Sequence, residues 1–184
     1  MALEAAFQEL VAQLGTLRDS LMGLRVTVVE DRPLVGGVIL ADTLGDSVED
    51  LLGWLEEALE GAVEGQQAVG HPTDVDRARR SLTACQEQYN RIAHRFSSEL
   101  ISYERMEQLT SLGHQRGRGW LAWTDSVKEA LDRCQQPLYD TNQALFFCWR
   151  EIAERAGMTS VSVQAIGQQI SLREGEQEAQ EGMT

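Results

Sequence analysis

Leu3, Phe7, Leu10, Leu14, Leu17, Leu21, Leu24 and Val28 recur with spacings that alternate four and three, with no position missing. That period places all eight on one stripe of an α-helix, a heptad seam that has to be buried against other helices. The β-branched run Val26, Thr27, Val28, Val29 weakens the end of the stripe. Asp31-Arg32-Pro33 then closes it, because the residue before proline avoids the helical region, so a helix of about 26 residues is predicted.

The same spacing returns three more times. VGGVIL reads as a short strand or a glycine-weakened helix entry. Beyond it Leu44, Val48, Leu51, Leu55, Leu59 and Ala62 form a second seam, widened by Leu52 and Trp54, with Asp42 or Thr43 as its cap. The segment decays through GAVEGQQAVG into His71-Pro72. Thr73, Asp74 and Asp76 supply caps and first-turn acids for a third helix. Its seam runs Val75, Ala78, Leu82, Cys85, Tyr89, Ile92 and Phe96, then steps by four to Leu100, Tyr103, Met106 and Leu109. The step is read as a stutter within one helix, which spans about 38 residues, or roughly 57 Å, up to Gly113. The fourth seam is Trp120, Trp123, Val127, Leu131, Cys134, Leu138, Asn142, Leu145, Trp149, Ile152 and Ala156, stopped by Gly157.

Four amphipathic helices on short connections predict an all-α fold: an antiparallel up-and-down four-helix bundle over residues 1–157, with long third and fourth helices that overhang the first two. Residues 158–184 differ in kind. Val161, Val163, Ile166, Ile170 and Leu172 precede an acidic Glu/Gln/Gly end. The apolar half is expected to dock on the bundle or on another protein, and the last dozen residues to be disordered. Two features break the bundle rules in helix four. Pro137 removes a donor and predicts a kink over 133–137, and Asn142 on the seam would trade stability for a fixed register.

The chain of 184 residues, 42% hydrophobic, suits a single domain with a real core. Cys85, Cys134 and Cys148 are odd in number and lack a CxxC pairing, which argues against a disulfide framework and for a reducing compartment. The opening MALEAAFQELVAQL has no basic stretch ahead of an apolar run, and VGGVILA is far too short to span a bilayer. A soluble, cytoplasmic protein without a transmembrane segment is therefore expected. The net charge of −13 is unevenly laid out. Residues 30–64 carry ten acids against Arg32 alone, whereas residues 74–118 carry eight arginines against six acids, so the two segments are expected to lie side by side or to steer one partner.

Chemical motifs do not emerge. The Glu-x-x-His pairs of metal-binding bundles are absent: Arg91 stands three residues before His94, and His71 falls in a turn. There is no GxSxG, P-loop or Cys-His signature, and Lys128 is the single lysine available for amine chemistry. Glu49-Asp50 and Glu56-Glu57 are adjacent on a helix and diverge by about 100°, so neither pair converges on a substrate. HQRGRGW, residues 114–120, resembles a phosphate loop in composition, yet it joins two helices and lacks a GK[ST] ending. Turn chemistry accounts for it and leaves Arg116 and Arg118 at one tip, where reversal to Glu would weaken binding of an acidic partner.

The expected function is therefore a non-enzymatic interaction or regulatory subunit, an adaptor acting through protein–protein contacts in a larger assembly, without a cofactor or metal. Its candidate contact residues are Arg116, Arg118, Trp120, Trp123, Phe146, Phe147, Trp149, Ile166 and Ile170; Phe146, Phe147 and Trp149 cannot all face one seam. The partner would be another protein or a second copy. A rival is a small-molecule or cofactor-binding bundle with its pocket near Trp120, Tyr139, Asn142 and Trp149. Nucleic-acid binding through Arg77, Arg79, Arg80, Arg91, Arg95, Arg116 and Arg118 is opposed by the overall charge. A membrane-active bundle is weaker still, because the apolar surface is committed to seams.

Overall fold

The computed structural model of the chain describes residues 2–34 and 38–157. Among these the fold is all-α, with no strand and with five helices rather than four: α1 Ala2–Arg25, α2 Ile39–Ala68, α3 Val75–Arg95, α4 Tyr103–Arg116 and α5 Arg118–Arg155. The expectations for residues 158–184 lie outside the described residues.

All eight residues of the first seam are buried, none exposed by more than 1%. The β-branched run does not end the helix. It widens it into a π-helical turn, Val26–Glu30, closed by Asp31 N–H donating to Val26 O at 2.9 Å, one residue further back than in an α-turn. α2 begins at Ile39, so the end of VGGVIL is helix entry rather than strand, and the start lies ahead of the expected caps Asp42 and Thr43; its N-cap is Val38 without a side-chain cap. Thr43 therefore does not cap; its hydroxyl donates to Ile39 O inside the helix at 2.8 Å.

α2 is the helix against which α1 and α3 are set. Its second half buries Ala58, Gly61, Ala62, Gly65 and Ala68, a small-residue strip that lets neighbouring backbones come close. A Cβ on Gly65 would lie 2.2 Å from Cε1 of the buried Phe7 ring, and one on Gly61 would lie 3.1 Å from Ser81 O. Ion pairs fix the directions. Arg18 meets Glu56 at 2.8 Å and Arg25 meets Glu49, so α1 and α2 run antiparallel. Arg95 Nη1 reaches Asp50 at 3.0 Å while Gly61 faces Ser81, so α2 and α3 do too. The acidic segment thus lies beside α3, as expected, but two of these three cross-helix ion pairs go to α1.

The third seam is not one helix. After Arg95 a second π turn, Phe96–Leu100, ends with Ile101 N–H donating to Phe96 O at 3.0 Å. Ser102 then starts α4 afresh, its hydroxyl accepting from Arg105 N–H at 3.3 Å. The four-residue step in the seam rotates the apolar stripe; here that rotation is taken up by a wide turn and a new cap rather than by a change of supercoil. Tyr103, expected on the seam, is 79% exposed. Nor does Gly113 end the helix. It lies buried where a Cβ would come within 2.6 Å of Thr124 Oγ1, and the connection to α5 is Gly117 alone, at φ +92°.

α5 runs unbroken through Pro137, whose ring is buried, so the expected bend over 133–137 does not interrupt the helix. It packs extensively on α1, lightly on α3, and along its first half on α4.

The Gly65–Phe7 contact yields an opposed pair of substitutions. Gly65→Ala should destabilise the chain by about 1–3 kcal/mol, since a fully buried ring has nowhere to move. Gly53→Ala, in open space on the same helix, should stabilise it by about 0.5–1 kcal/mol. Urea midpoints of the two variants check the signs.

Candidate functional site

Three neighbours divide the surface of α5. On the α1 side, Trp123 Nε1 donates to Thr27 O at 2.9 Å. That carbonyl belongs to the π turn and has no amide of its own one α-turn ahead, because Asp31 N–H goes to Val26 O. On the α3 side, the Tyr89 hydroxyl donates to Leu138 O at 2.7 Å and Trp149 Nε1 to Gln86 Oε1 at 3.2 Å. On the α4 side, Lys128 Nζ donates to Thr110 Oγ1 at 2.7 Å, and Leu121 and Thr124 lie against Gly113.

Eighteen residues make five turns of an α-helix, so positions 18 apart share a direction. Leu121, Thr124 and Lys128, the stripe that α4 covers, therefore recur as Tyr139, Asn142 and Phe146. α4 is too short to reach them. Among the described residues this lower stripe is open: Tyr139 is 59% exposed and Phe146 45%. Phe147, 42% exposed, meets Phe146 edge to face at a centroid distance of 6.1 Å, and the Arg150 guanidinium stands 5.0 Å over its ring. Polar groups rim the patch, with Gln136 Nε2 donating to Asp140 Oδ1 at 2.8 Å and Arg150 reaching Glu151 at 3.4 Å. Aromatic rings beside an arginine within a polar rim have the composition of a protein-docking surface.

The other predicted residues fall elsewhere. Arg116 and Arg118 are exposed on either side of Gly117, at the α4–α5 tip. Trp120 and Trp123 are buried, packed T-shaped at 5.4 Å, and Trp149 is half-buried against α3. Asn142 is a correction: it is exposed, and the seam passes instead through Thr141, buried with its hydroxyl donating to Pro137 O at 2.7 Å. A helix hides the cost of a buried Thr by this back-bond, so the seam continues Cys134, Leu138, Thr141, Leu145, Cys148, Ile152. Ala156 is likewise exposed rather than on the seam. Ile166 and Ile170 lie outside the described residues.

The pocket expected near Trp120, Tyr139, Asn142 and Trp149 does not form. Trp120 and Trp149 sit 29 residues apart on one helix, about 44 Å, and Tyr139 and Asn142 face outward. The arginines of the basic segment are also dispersed, with Arg79 held by Asp76 at 3.1 Å and Arg95 by Asp50 and Glu99 and over the Trp54 ring at 4.9 Å. A shallow groove lined by Arg18, Glu56, Leu59, Glu60, Val63 and Glu64 is bridged by the Arg18–Glu56 pair. Exposed aliphatics also stand at Met22, Val26 and Val29 along α1 and at Leu34 and Ile39, without an aromatic among them.

The reactive groups are withdrawn from solvent. Burial pushes the Cys85 thiol up to about 12 and the Cys134 thiol to about 12, and raises Cys148 further, with Cys85 close enough to add to the shift. All three thiols are buried and free. Among the described residues no three His, Cys, Asp or Glu side chains gather as a metal site, and no helix is long and apolar enough to cross a membrane. Comparison with protein-family models, with curated proteins and with solved structures finds no match.

The buried thiols and Tyr89, also pushed up to about 12 by burial, make stability sensitive to alkali. Their folded pKa values lie above the unfolded ones of about 8.5 for Cys and 10 for Tyr, so the contribution is complete below about pH 8.5 and drains away between there and 12. Urea midpoints should hold from pH 6 to 8 and fall by pH 10, less steeply in Cys85→Ala; an unchanged slope in that variant would contradict the assignment.

Proposed function

We propose that this chain is a non-enzymatic interaction subunit that docks another protein on the outer stripe of the second half of α5. The carrying observation is the open patch of Tyr139, Phe146, Phe147 and Arg150. Tyr139 and Phe146 lie in the same direction from α5 that α4 covers earlier, with Phe147 and Arg150 flanking them, so the patch is a place prepared for a helix or strap that the described chain does not supply. We further infer that α1, α2, α3 and α5 form one up-and-down antiparallel bundle, with α4 an arm folded onto α5. The bundle then serves as a rigid mount, and binding requires ordering of little beyond the partner's own segment. The Phe146–Phe147 pair supplies apolar area at low entropy cost, and Arg150 adds a cation that suits an acidic or aromatic partner residue.

Full-length chain carrying Phe146→Asp and Phe147→Asp should remain folded with a somewhat lower midpoint than the parent, since the rings, 45% and 42% exposed, lie at the surface but give up part-covered apolar area. Its complexes, isolated from the native source and quantified by cross-linking mass spectrometry, should weaken by about 2 kcal/mol or more, roughly thirtyfold in Kd. Arg116→Glu with Arg118→Glu should leave them intact. The reverse pattern would move the docking surface to the α4–α5 tip.

A further inference from the structure

The lower stripe of α5 begins next to the point where the chain leaves that helix. Gly157, at φ +70°, terminates α5 in a left-handed turn, with Ala156 N–H donating to Ile152 O at 3.0 Å and Gly157 N–H to Glu154 O at 3.3 Å. Such a turn takes the following residues off the helix axis rather than along it. Measured back along α5, Phe147 is ten residues from Gly157, about 15 Å, and Tyr139 eighteen residues, about 27 Å. Nine extended residues, 158–166, span up to roughly 30 Å, so the segment can reach the whole patch without strain. Its sequence offers what the patch lacks: Val161, Val163, Ile166, Ile170 and Leu172, five aliphatic residues among Ser, Gln and Gly, with no charge before Arg173.

We propose that residues 158–172 cover the Tyr139–Asn142–Phe146 stripe of their own chain, taking on the second half of α5 the place that α4 takes on the first. The inference rests on the docking reading only for its consequence, which is that partner and segment compete for one surface. Linked so closely, the segment competes at high effective concentration, and its weakening should appear as tighter partner binding. Four glutamates follow it in the sequence, Glu174, Glu176, Glu178 and Glu181.

Hydroxyl-radical footprinting of the full-length chain without any partner tests this separately from docking. Phe146, Phe147 and Tyr139 report on the stripe, and Tyr103, 79% exposed on α4, is the internal reference. Relative to Tyr103, Tyr139 and Phe146 on the stripe should be oxidised at least about threefold more slowly in the parent than in full-length Ile166→Asp/Ile170→Asp, as cover in about two thirds of the molecules requires, with the flanking Phe147 following in the same direction. Val161→Asp/Val163→Asp should act in the same direction, and protection should survive an approximately tenfold dilution, because an intramolecular contact is independent of concentration. Equal rates in parent and variants overturn the proposal. Protection that fades on dilution overturns it in favour of a second copy. Loss of partner complexes in Phe146→Asp/Phe147→Asp alongside equal footprints would leave docking standing and remove only the cover.

Discussion

A helix of 38 residues cannot be covered on one side by a neighbour of 14. That length mismatch governs the molecule's outer face. It arises because the third seam breaks: a single helix from Val75 onward would have run beside α5 for most of its length, but the π turn at Phe96–Leu100 and the cap at Ser102 divide it. α3 then stays with α2, and α4 is left to pack on the first half of α5. The open aromatic patch follows on the second half, where the direction once held by Leu121, Thr124 and Lys128 is passed on to Tyr139, Asn142 and Phe146.

The two π turns play matching parts. Each widens the backbone by one residue and leaves carbonyl groups at its end without an amide in the helix, and each is satisfied by a long side chain from a later element. Trp123 donates to Thr27 O, and Arg105 Nε to Glu99 O at 2.7 Å. The first bond pins the start of α5 to the end of α1, and the second pins the start of α4 to the turn it emerges from. The placement of the α4–α5 arm therefore depends on polar bonds at its ends as well as on Leu109, Leu112 and Trp120 inside it. Beneath, the Ala and Gly strip of α2 sets how closely α1 and α3 approach, with Phe7 seated over Gly65.

Much of this is legible in the amino-acid order. The α1 seam is buried residue for residue, Asp74 caps α3 by accepting from Arg77 N–H at 2.9 Å, and Gly157 stops α5. Exposure of at least one of Phe146, Phe147 and Trp149 follows from their adjacency. What escapes is where two patterns compete. Periodicity alone cannot separate a stutter from a break, although Ser102 is a ready cap three residues before Arg105. Spacing admits Cys148 as well as Trp149, and Thr141 as well as Asn142, since either choice keeps steps of three and four, yet a small thiol and a back-bonded hydroxyl fit an interhelical core better than an indole or a carboxamide. The proposed pocket fails on distance, since residues 29 apart on one helix share no cavity. The open stripe itself was written in the sequence as an 18-residue recurrence, but it acquires meaning only once α4 is known to end short of it.

Placing the photo-reactive residue p-benzoylphenylalanine at position 146 of the full-length chain, in the cells that produce it, tests the central claim most directly. Irradiation should give a covalent adduct heavier than the 20.5 kDa chain from position 146, and none from position 103, which is more exposed but lies off the stripe. Adducts of equal yield from both positions, or from neither, would contradict the assignment of the second half of α5 as the docking surface.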